Sequence, residues 1–285
     1  MIPKKEILEF KGLIRKERDK LSTSKSLVEN VIVKNPNIIK PIFDKVQISD
    51  VIEELRQKTY DLYLKEEDQF NKKIMKLLPQ VCDTPNEILE KLVNENTLSL
   101  RDDELKLKIK QICGDYSGQI SPFIYILNLS TTQSRRSRSG QTFESVIYSL
   151  YEKLGFSYDS QKKVGANVFK KNNLGKKVDS ILPSVECFEQ RRDKVIIGTM
   201  KTTIRERWQQ VAEEISRTKV PSIYLLTTDE DISSNKASEM KEHNITVVVY
   251  DKVKKELSDY RNLISFEEYF FEEIPNTFKY WEKEK

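Results

Sequence analysis

The sequence predicts an α/β protein in two parts, an all-helical N-terminal region followed by a mixed sheet flanked by helices. Apolar residues recur at helical spacing early in the chain, and no convincing strand alternation occurs before about residue 120. After Gly114, short β-like runs alternate with helical patterns, as in a sheet covered by helices. The hydrophobic fraction of 38% is sufficient for one well-formed core.

The N-terminal region is predicted to consist of helices. Their expected positions are 6–20, 49–74, a helix beginning at Thr84-Pro85, and 98–112, which we expect to end at Gly114. The change of pattern after Gly114 places the domain boundary near residue 115. We therefore expect a helical domain over 1–115 and an α/β domain over 116–285.

The second domain is predicted to alternate strands and helices. A helix is expected over 140–155 with Gly155 as its stop, and further helices over 204–218 and 233–242. The expected strands are 165–169, 177–182, 194–200, 222–227 and 245–250. Four lysines, at 162, 163, 170 and 171, flank the first of these runs, which is a candidate hairpin.

Composition excludes several classes of protein. The three cysteines include no C-x-x-C pair and there is one histidine, which excludes a disulfide scaffold and a zinc finger and fits a reducing cytoplasm. The first residues include no apolar h-region, so we do not expect a secretory signal, and no apolar stretch is long enough to span a membrane. The net charge is 49 − 45 = +4, but basic residues cluster at 134–140 and 205–208. Carboxylates, lysines and arginines must therefore carry any chemistry.

One set of acidic and basic residues suggests such chemistry. Asp179 lies in a predicted strand, Lys201 ends the next strand, and Glu144 lies on the helix that leads into the sheet. The helix that follows Lys201 carries Glu213 and Glu214. Carboxylates on adjacent strands suit Mg²⁺, which prefers oxygen ligands and polarises a scissile phosphate. A lysine beside them can orient a water molecule and offset charge.

These residues also carry a family resemblance. Asp179 together with Lys201-Thr-Thr-Ile-Arg-Glu-Arg-Trp-Gln-Gln-Val-Ala-Glu-Glu214 resembles the active site of type II restriction endonucleases with the PD-(D/E)XK fold. It is similar in particular to the EcoRII-like and BsaWI-like subgroup, whose targets contain CCGG, CCNGG or CCWGG. The segment 134–144 resembles the helix that precedes the active site in that family. The resemblance spans roughly 133–228 and implies a restriction-endonuclease-like sheet.

The chain departs from the general pattern of this superfamily at two positions. Val178 stands where proline usually precedes Asp179, and Thr199 stands two residues before Lys201, where an acid is usual. In the subgroup the second acid comes from the following helix, and 201 + 13 = 214 is the matching position, Glu214.

A helical wheel favours Glu214 over Glu213 as this second acid. Glu214 lies nearer the edge of the apolar stripe, from which a side chain can reach the sheet, whereas Glu213 points more into solvent. The resemblance then implies four catalytic residues: Asp179, Lys201, Glu214 and Glu144. The implied Mg²⁺ ligands are Asp179, Glu214 and Glu144.

The same resemblance implies how DNA is read. Arg205-Glu206-Arg207 matches the family's base-reading triplet, with arginines suited to guanine and the carboxylate to cytosine. Gln133 lies at 144 − 133 = 11 residues before Glu144 and matches a position that reads the minor groove. The expected phosphate contacts are Arg135, Arg136 and Arg138, although this segment could also be a flexible basic loop.

The resemblance implies a Mg²⁺-dependent endonuclease that cuts both strands of double-stranded DNA at a palindrome containing CCGG and leaves 5′-phosphates. A palindrome requires a homodimer at minimum, or a tetramer. The helical domain would contact DNA or mediate dimerisation, and a DNA methyltransferase would accompany the enzyme. The alternatives are another PD-(D/E)XK repair or structure-selective nuclease, and a DNA-binding protein without catalysis.

Overall fold

Two long helices, each shared by two units of the chain, organise the computed structural model. It describes residues 3–82, 84–93, 97, 99–174, 178–205, 207–218 and 220–283. Unit 1 comprises Met1–Thr23 and Asp61–Arg138, and unit 2 comprises Ser24–Tyr60 and Ser139–Lys285. The predicted boundary at residue 115 falls inside a helix that contributes to both units. Whether the segments on either side of residue 115 fold independently stays a prediction.

The helices are α1 (Lys4–Arg18), α2 (Ser24–Lys34), α3 (Lys40–Phe43), α4 (Ile48–Val81), α5 (Thr84–Glu90), α6 (Asp102–Lys153), α7 (Gln161–Val164), α8 (Ala166–Lys171), α9 (Val185–Gln190), α10 (Arg207–Thr218), α11 (Ser234–Glu242), α12 (Asp251–Glu256), α13 (Phe266–Glu268) and α14 (Ile274–Lys283). A π-helical turn, Tyr269–Glu273, joins the last two. In the described part of the chain, no helix is both long and apolar enough to cross a membrane.

Unit 1 is held together by apolar faces of α1, α4 and α6. The buried residues of this cluster recur at helical spacing on each helix: Phe10, Ile14, Phe70, Ile74, Leu78, Cys82, Ile120, Phe123 and Leu127. The Phe10 and Phe123 rings meet edge to face with their centroids 5.1 Å apart, a favoured aromatic geometry.

Unit 2 contains a five-stranded mixed sheet, which confirms the predicted fold class. The strands are β1 (Ser180–Leu182), β2 (Ile196–Lys201), β3 (Ile223–Thr227), β4 (Ile245–Val249) and β5 (Leu263–Ser265), in that spatial order. β1 pairs antiparallel with β2, and the other three pairings are parallel. Parallel strands covered on both faces read as nearly continuous apolar runs, as β3 and β4 do.

The end of α6 packs in the core of unit 2. Phe143, Val146, Ile147 and Leu150 are fully buried there. Gly155 ends this segment with a φ of +76°, and the Phe156 amide donates to the Tyr151 carbonyl over 2.9 Å. The predicted glycine stop is therefore confirmed, because a residue without a β-carbon adopts this backbone most readily.

The predicted break at Gly114 is wrong, because α6 runs unbroken from Asp102 to Lys153 through Gly114, Pro122 and Gly140. A helical glycine costs only about 1 kcal/mol relative to alanine, and the buried faces of α6 outweigh that cost. The segment 134–140 is likewise helical, so the flexible-loop interpretation is wrong.

The strand predicted over 165–169 is also wrong. This segment lies mostly in α8, and Ser160 caps the preceding helix α7 by accepting a hydrogen bond from the Lys163 amide. A five-residue run is too short for its period to distinguish a strand from a helix. The lysines at 162, 163, 170 and 171 consequently lie on two short helices, all of them exposed.

Candidate active site

Asp179 and Lys201 meet where β1 begins and β2 ends. The Asp179 amide donates to the Gly198 carbonyl over 2.9 Å, which places residue 179 beside β2. Three donors converge on its Oδ2 atom: the Met200 amide at 2.6 Å, the Lys201 Nζ atom at 3.2 Å and the Thr199 hydroxyl at 3.3 Å. The side chains of Asp179 and Lys201 remain 16% and 18% exposed, so a ligand can reach them.

Thr199 lies on β2 two residues before Lys201, at the position where the sequence resemblance led us to expect an acid. Its side chain is buried and donates to Asp179 Oδ2, so it orients the carboxylate rather than adding a second one. The Asp179 Oδ1 atom accepts no hydrogen bond from any residue that the structure describes. One oxygen of Asp179 is thus held in place while the other is available to a cation.

Glu144 is the second carboxylate of the site. Its side chain is 24% exposed, and its Oε2 atom lies 3.4 Å from the Lys162 Nζ atom. Burial raises the pKa of Glu144, and the negative charge of nearby Asp179 raises that pKa further, whereas Lys162 and Lys201 oppose the shift. The two carboxylates therefore repel one another, and a bound cation would relieve that repulsion.

Glu214 lies on the inner face of α10 and Glu213 on its outer face, as the helical wheel predicts. Glu214 is 5% exposed, and Trp208 and Val211 on the same face are also buried. Glu213 is exposed on the other side of the helix. The role of Glu214 as a metal ligand stays a prediction.

The donor set suits Mg²⁺. Asp179 and Glu144 supply carboxylate oxygens, and Mg²⁺ is usually bound by one or two carboxylates together with waters and substrate phosphates. Among the described residues, no three or more His, Cys, Asp or Glu side chains form a group that could hold a metal. Asp179 and Glu144 are therefore the candidate oxygen ligands near Lys201.

The predicted base readers lie at the start of α10. Arg205 and Arg207 are exposed, and Arg205 has a φ of +34° in the turn before the helix. The Ile204 amide donates to the Asp229 Oδ2 atom over 2.7 Å, which anchors this turn to the segment that follows β3. Glu206 lies outside the described residues.

The four remaining predicted DNA contacts belong to unit 1. Gln133 and Arg136 are exposed on α6. Arg135 donates from Nε to the Glu67 Oε1 atom over 2.8 Å and also from Nη2 to the same oxygen, and Glu67 is only 2% exposed. Arg138 donates to the Ser22 carbonyl over 2.6 Å and covers the Tyr63 ring at 4.6 Å. Arg135 and Arg138 thus have intramolecular partners that the sequence did not indicate.

Sequence reasoning missed the side chains around Asp179 and Glu144. The Tyr148 hydroxyl donates to the Asp179 carbonyl over 2.7 Å. Its spacing of 148 − 144 = 4 residues from Glu144 on one helix was the available signal. Lys162 was noted only as one of four lysines beside a candidate hairpin, and Asp229 left no comparable signal, because both come from separate elements.

Comparison with known proteins decides the family. The family model described as EcoRII C terminal matches residues 102–270, more than half of the chain. The chain belongs to the EcoRII C-terminal family. The type II restriction enzyme SsoII of Shigella sonnei is similar to this chain, with 40% identity over 134 residues. These residues cover 47% of this chain and 44% of SsoII. The match thus spans less than half the length of the relative.

Solved structures of two restriction endonucleases resemble this member of the EcoRII C-terminal family over nearly the whole length of the chain. Metal-depleted Ecl18kI in complex with uncleaved DNA has a TM-score of 0.74 and 26% identity, covering 96% of this chain and 84% of that one. The restriction endonuclease PspGI in complex with substrate DNA has a TM-score of 0.61 and 17% identity, covering 94% and 96%. The PspGI likeness supports the fold alone. Together these structures confirm the predicted restriction-endonuclease-like fold.

Proposed function

We propose that the chain is a Mg²⁺-dependent type II restriction endonuclease. It hydrolyses both strands of double-stranded DNA at a palindromic site containing CCGG and leaves 5′-phosphates. The observation that carries this proposal is the convergence of Asp179, Lys201 and Glu144 at the ends of adjacent strands and on the helix beside them. The restriction enzymes among its relatives support the same activity.

The chemistry follows from the arrangement of these three side chains. Asp179 and Glu144 would hold Mg²⁺, with Glu214 as the proposed third ligand. When bound, Mg²⁺ polarises the scissile phosphate and lowers the pKa of a coordinated water. Lys201, whose ammonium lies 3.2 Å from Asp179 Oδ2, orients the attacking water and offsets negative charge at the phosphate. The Met200 amide holds the Asp179 carboxylate in the required orientation.

Sequence recognition is assigned to the turn that leads into α10. Arg205 and Arg207 suit bidentate contacts to guanine O6 and N7, and Glu206 suits cytosine N4. An uninterrupted CCGG core is proposed ahead of CCNGG or CCWGG, to which the same triplet is also suited. Gln133 is proposed to read the minor groove.

Phosphate contacts are assigned to the basic residues of α6. Arg136 is the principal candidate because it is exposed. Arg135 and Arg138 are proposed to contribute to phosphate binding through their charge, alongside their intramolecular contacts.

A palindromic target sets the assembly. Two copies of one reader related by a two-fold axis match the two half-sites, so we propose a homodimer at minimum, with a tetramer as the larger form. Host DNA carrying the same site must be protected, so a DNA methyltransferase with the same specificity is the expected functional partner. Both would act in the cytoplasm, and the region 1–115 would contact DNA or join protomers.

Digestion of a sequenced plasmid with Mg²⁺, followed by mapping of the ends, tests this proposal. We expect fragments that begin or end at one palindrome with 5′-phosphates. Cleavage without dependence on CCGG, CCNGG or CCWGG would instead indicate a repair or structure-selective nuclease. Tight binding of one site in Mg²⁺ with the DNA left intact would indicate a DNA-binding protein without catalysis.

A further inference from the structure

We propose that Tyr148 is a positioning residue that ties the helix carrying Glu144 to the strand end carrying Asp179. The inference rests on the proposed function, because it assigns a task within that same site. Tyr148 lies one helical turn after Glu144 on α6, so the two side chains project from the same face of the helix. The Tyr148 hydroxyl donates to the Asp179 backbone carbonyl over 2.7 Å. One hydrogen bond therefore links the backbone segments that carry the two carboxylates.

The Tyr148 ring is itself held in place. It stacks on the Tyr158 ring with the centroids 4.9 Å apart and the planes 7° from parallel. The Lys163 ammonium lies 3.3 Å from the centroid of Tyr158, and the Tyr158 hydroxyl donates to Glu152 over 3.1 Å. Because Tyr158 is held by these contacts, stacking on its ring restricts rotation of the Tyr148 ring and keeps the Tyr148 hydroxyl within reach of the Asp179 carbonyl.

Asp179 is consequently held at two points. Its carboxylate accepts from the Met200 amide, which belongs to β2, and its carbonyl accepts from Tyr148, which belongs to α6. The first contact sets the direction of the carboxylate and the second sets the distance of the strand from α6. Catalytic groups tolerate little displacement, since about 1 Å of misplacement costs about 10²-fold in rate. Loss of the Tyr148 hydroxyl should therefore weaken metal binding and catalysis together.

The variant Tyr148→Phe tests this role, with Tyr224→Phe as a matched control. Tyr224→Phe also removes a partly buried hydroxyl hydrogen bond, 2.7 Å long and made to Glu273, but that bond involves neither Asp179 nor Glu144. We expect Tyr148→Phe to slow single-turnover cleavage by about 10- to 100-fold and to raise the Mg²⁺ concentration for half-maximal rate about tenfold. The affinity of the DNA complex for Ca²⁺, measured by calorimetry, should fall in parallel, while DNA affinity without metal stays within about twofold. The control variant should leave all of these quantities near wild type.

Crystal structures of wild type and Tyr148→Phe complete the test. We expect the Asp179 backbone to move away from α6 in the variant. An Asp179 backbone in its wild-type place, or wild-type Mg²⁺ dependence in the variant, would overturn the positioning role. A wild-type protein that cleaves no DNA would overturn the proposed function instead, and the two crystal structures would still decide whether the tether exists.

Discussion

Replacing Gly198 by alanine should destabilise the sheet beside the candidate active site. Gly198 lies in β2 directly opposite Ser180 of the antiparallel strand β1, and both residues are buried. A β-carbon added at Gly198 would lie 2.4 Å from the Ser180 Oγ atom, whereas the next neighbour, the Leu226 Cδ1 atom, would be 3.7 Å away. The clash therefore involves a single atom.

The size of the effect follows from that distance. Non-bonded carbon contacts are most favourable at about 3.5–4.0 Å, so the serine side chain or the strand must move by roughly 1 Å. Overpacking of this kind costs about 1–3 kcal/mol, and we expect the free energy of unfolding to fall by that amount. Because Asp179 directly precedes Ser180, the displacement should also lower the cleavage rate.

Urea unfolding followed by circular dichroism measures this cost, and Ser180→Ala provides the control. Removing the Oγ atom leaves the Ser180 Cβ atom at 3.8 Å as the nearest atom of residue 180, an ordinary van der Waals contact. Gly198→Ala should then cost less than about 0.5 kcal/mol in the Ser180→Ala background, so the two substitutions should be non-additive. An equal cost in both backgrounds would refute the explanation by steric clash.

Three further predictions concern charge. Burial raises the pKa of Glu144 in the folded state, so the wild-type protein loses stability as the pH rises from the ordinary glutamate pKa to that raised value. Glu144→Gln should therefore stabilise the metal-free protein at neutral pH but not below the ordinary glutamate pKa. Urea unfolding at these two pH values without metal checks this, and an equal gain in stability at both would count against it. Arg135→Ala should lower the free energy of unfolding by about 1–3 kcal/mol, because a buried carboxylate loses its partner, whereas Arg136→Ala should leave stability unchanged and reduce the salt slope of DNA binding by about 0.9. Glu214→Ala should abolish cleavage, and adding Thr199→Glu should restore part of it, since the Thr199 side chain already lies beside Asp179; full activity of Glu214→Ala alone would redirect the assignment to the neighbouring glutamate.

Much of the sheet is predictable from the sequence. β2, β3 and β4 are short apolar runs, rich in β-branched residues, that lie between turns and helices, as expected for parallel strands buried on both faces. The fourth strand of the parallel set, β5, has only three residues, which are too few to show a strand period in the sequence. The pairing of Asp179 with Lys201 was accessible because Asp179 lies in one predicted strand and Lys201 ends the next.

Tertiary contacts explain what local patterns did not predict. The 52-residue helix α6 passes through Gly114 and Pro122, which favour a break, because its faces are buried in both units. The partners of Arg135 and Arg138 are Glu67 and Ser22, which lie 68 and 116 positions away in the sequence, and no local period indicates such pairs. The contact between Tyr148 and Asp179 likewise joins elements that only the folded chain brings together.

The most direct test of the active-site assignment separates binding from cleavage in Lys201→Ala. The control is Lys241→Ala, an exposed lysine in the last turn of α11. With a duplex that contains the mapped site, Lys201→Ala should bind within a few-fold of wild type without metal, yet cleave at least about 10²-fold more slowly in Mg²⁺. Lys241→Ala should match wild type in both measurements. Cleavage by Lys201→Ala at the wild-type rate would contradict the assignment of Asp179 and Lys201 as the centre of the reaction.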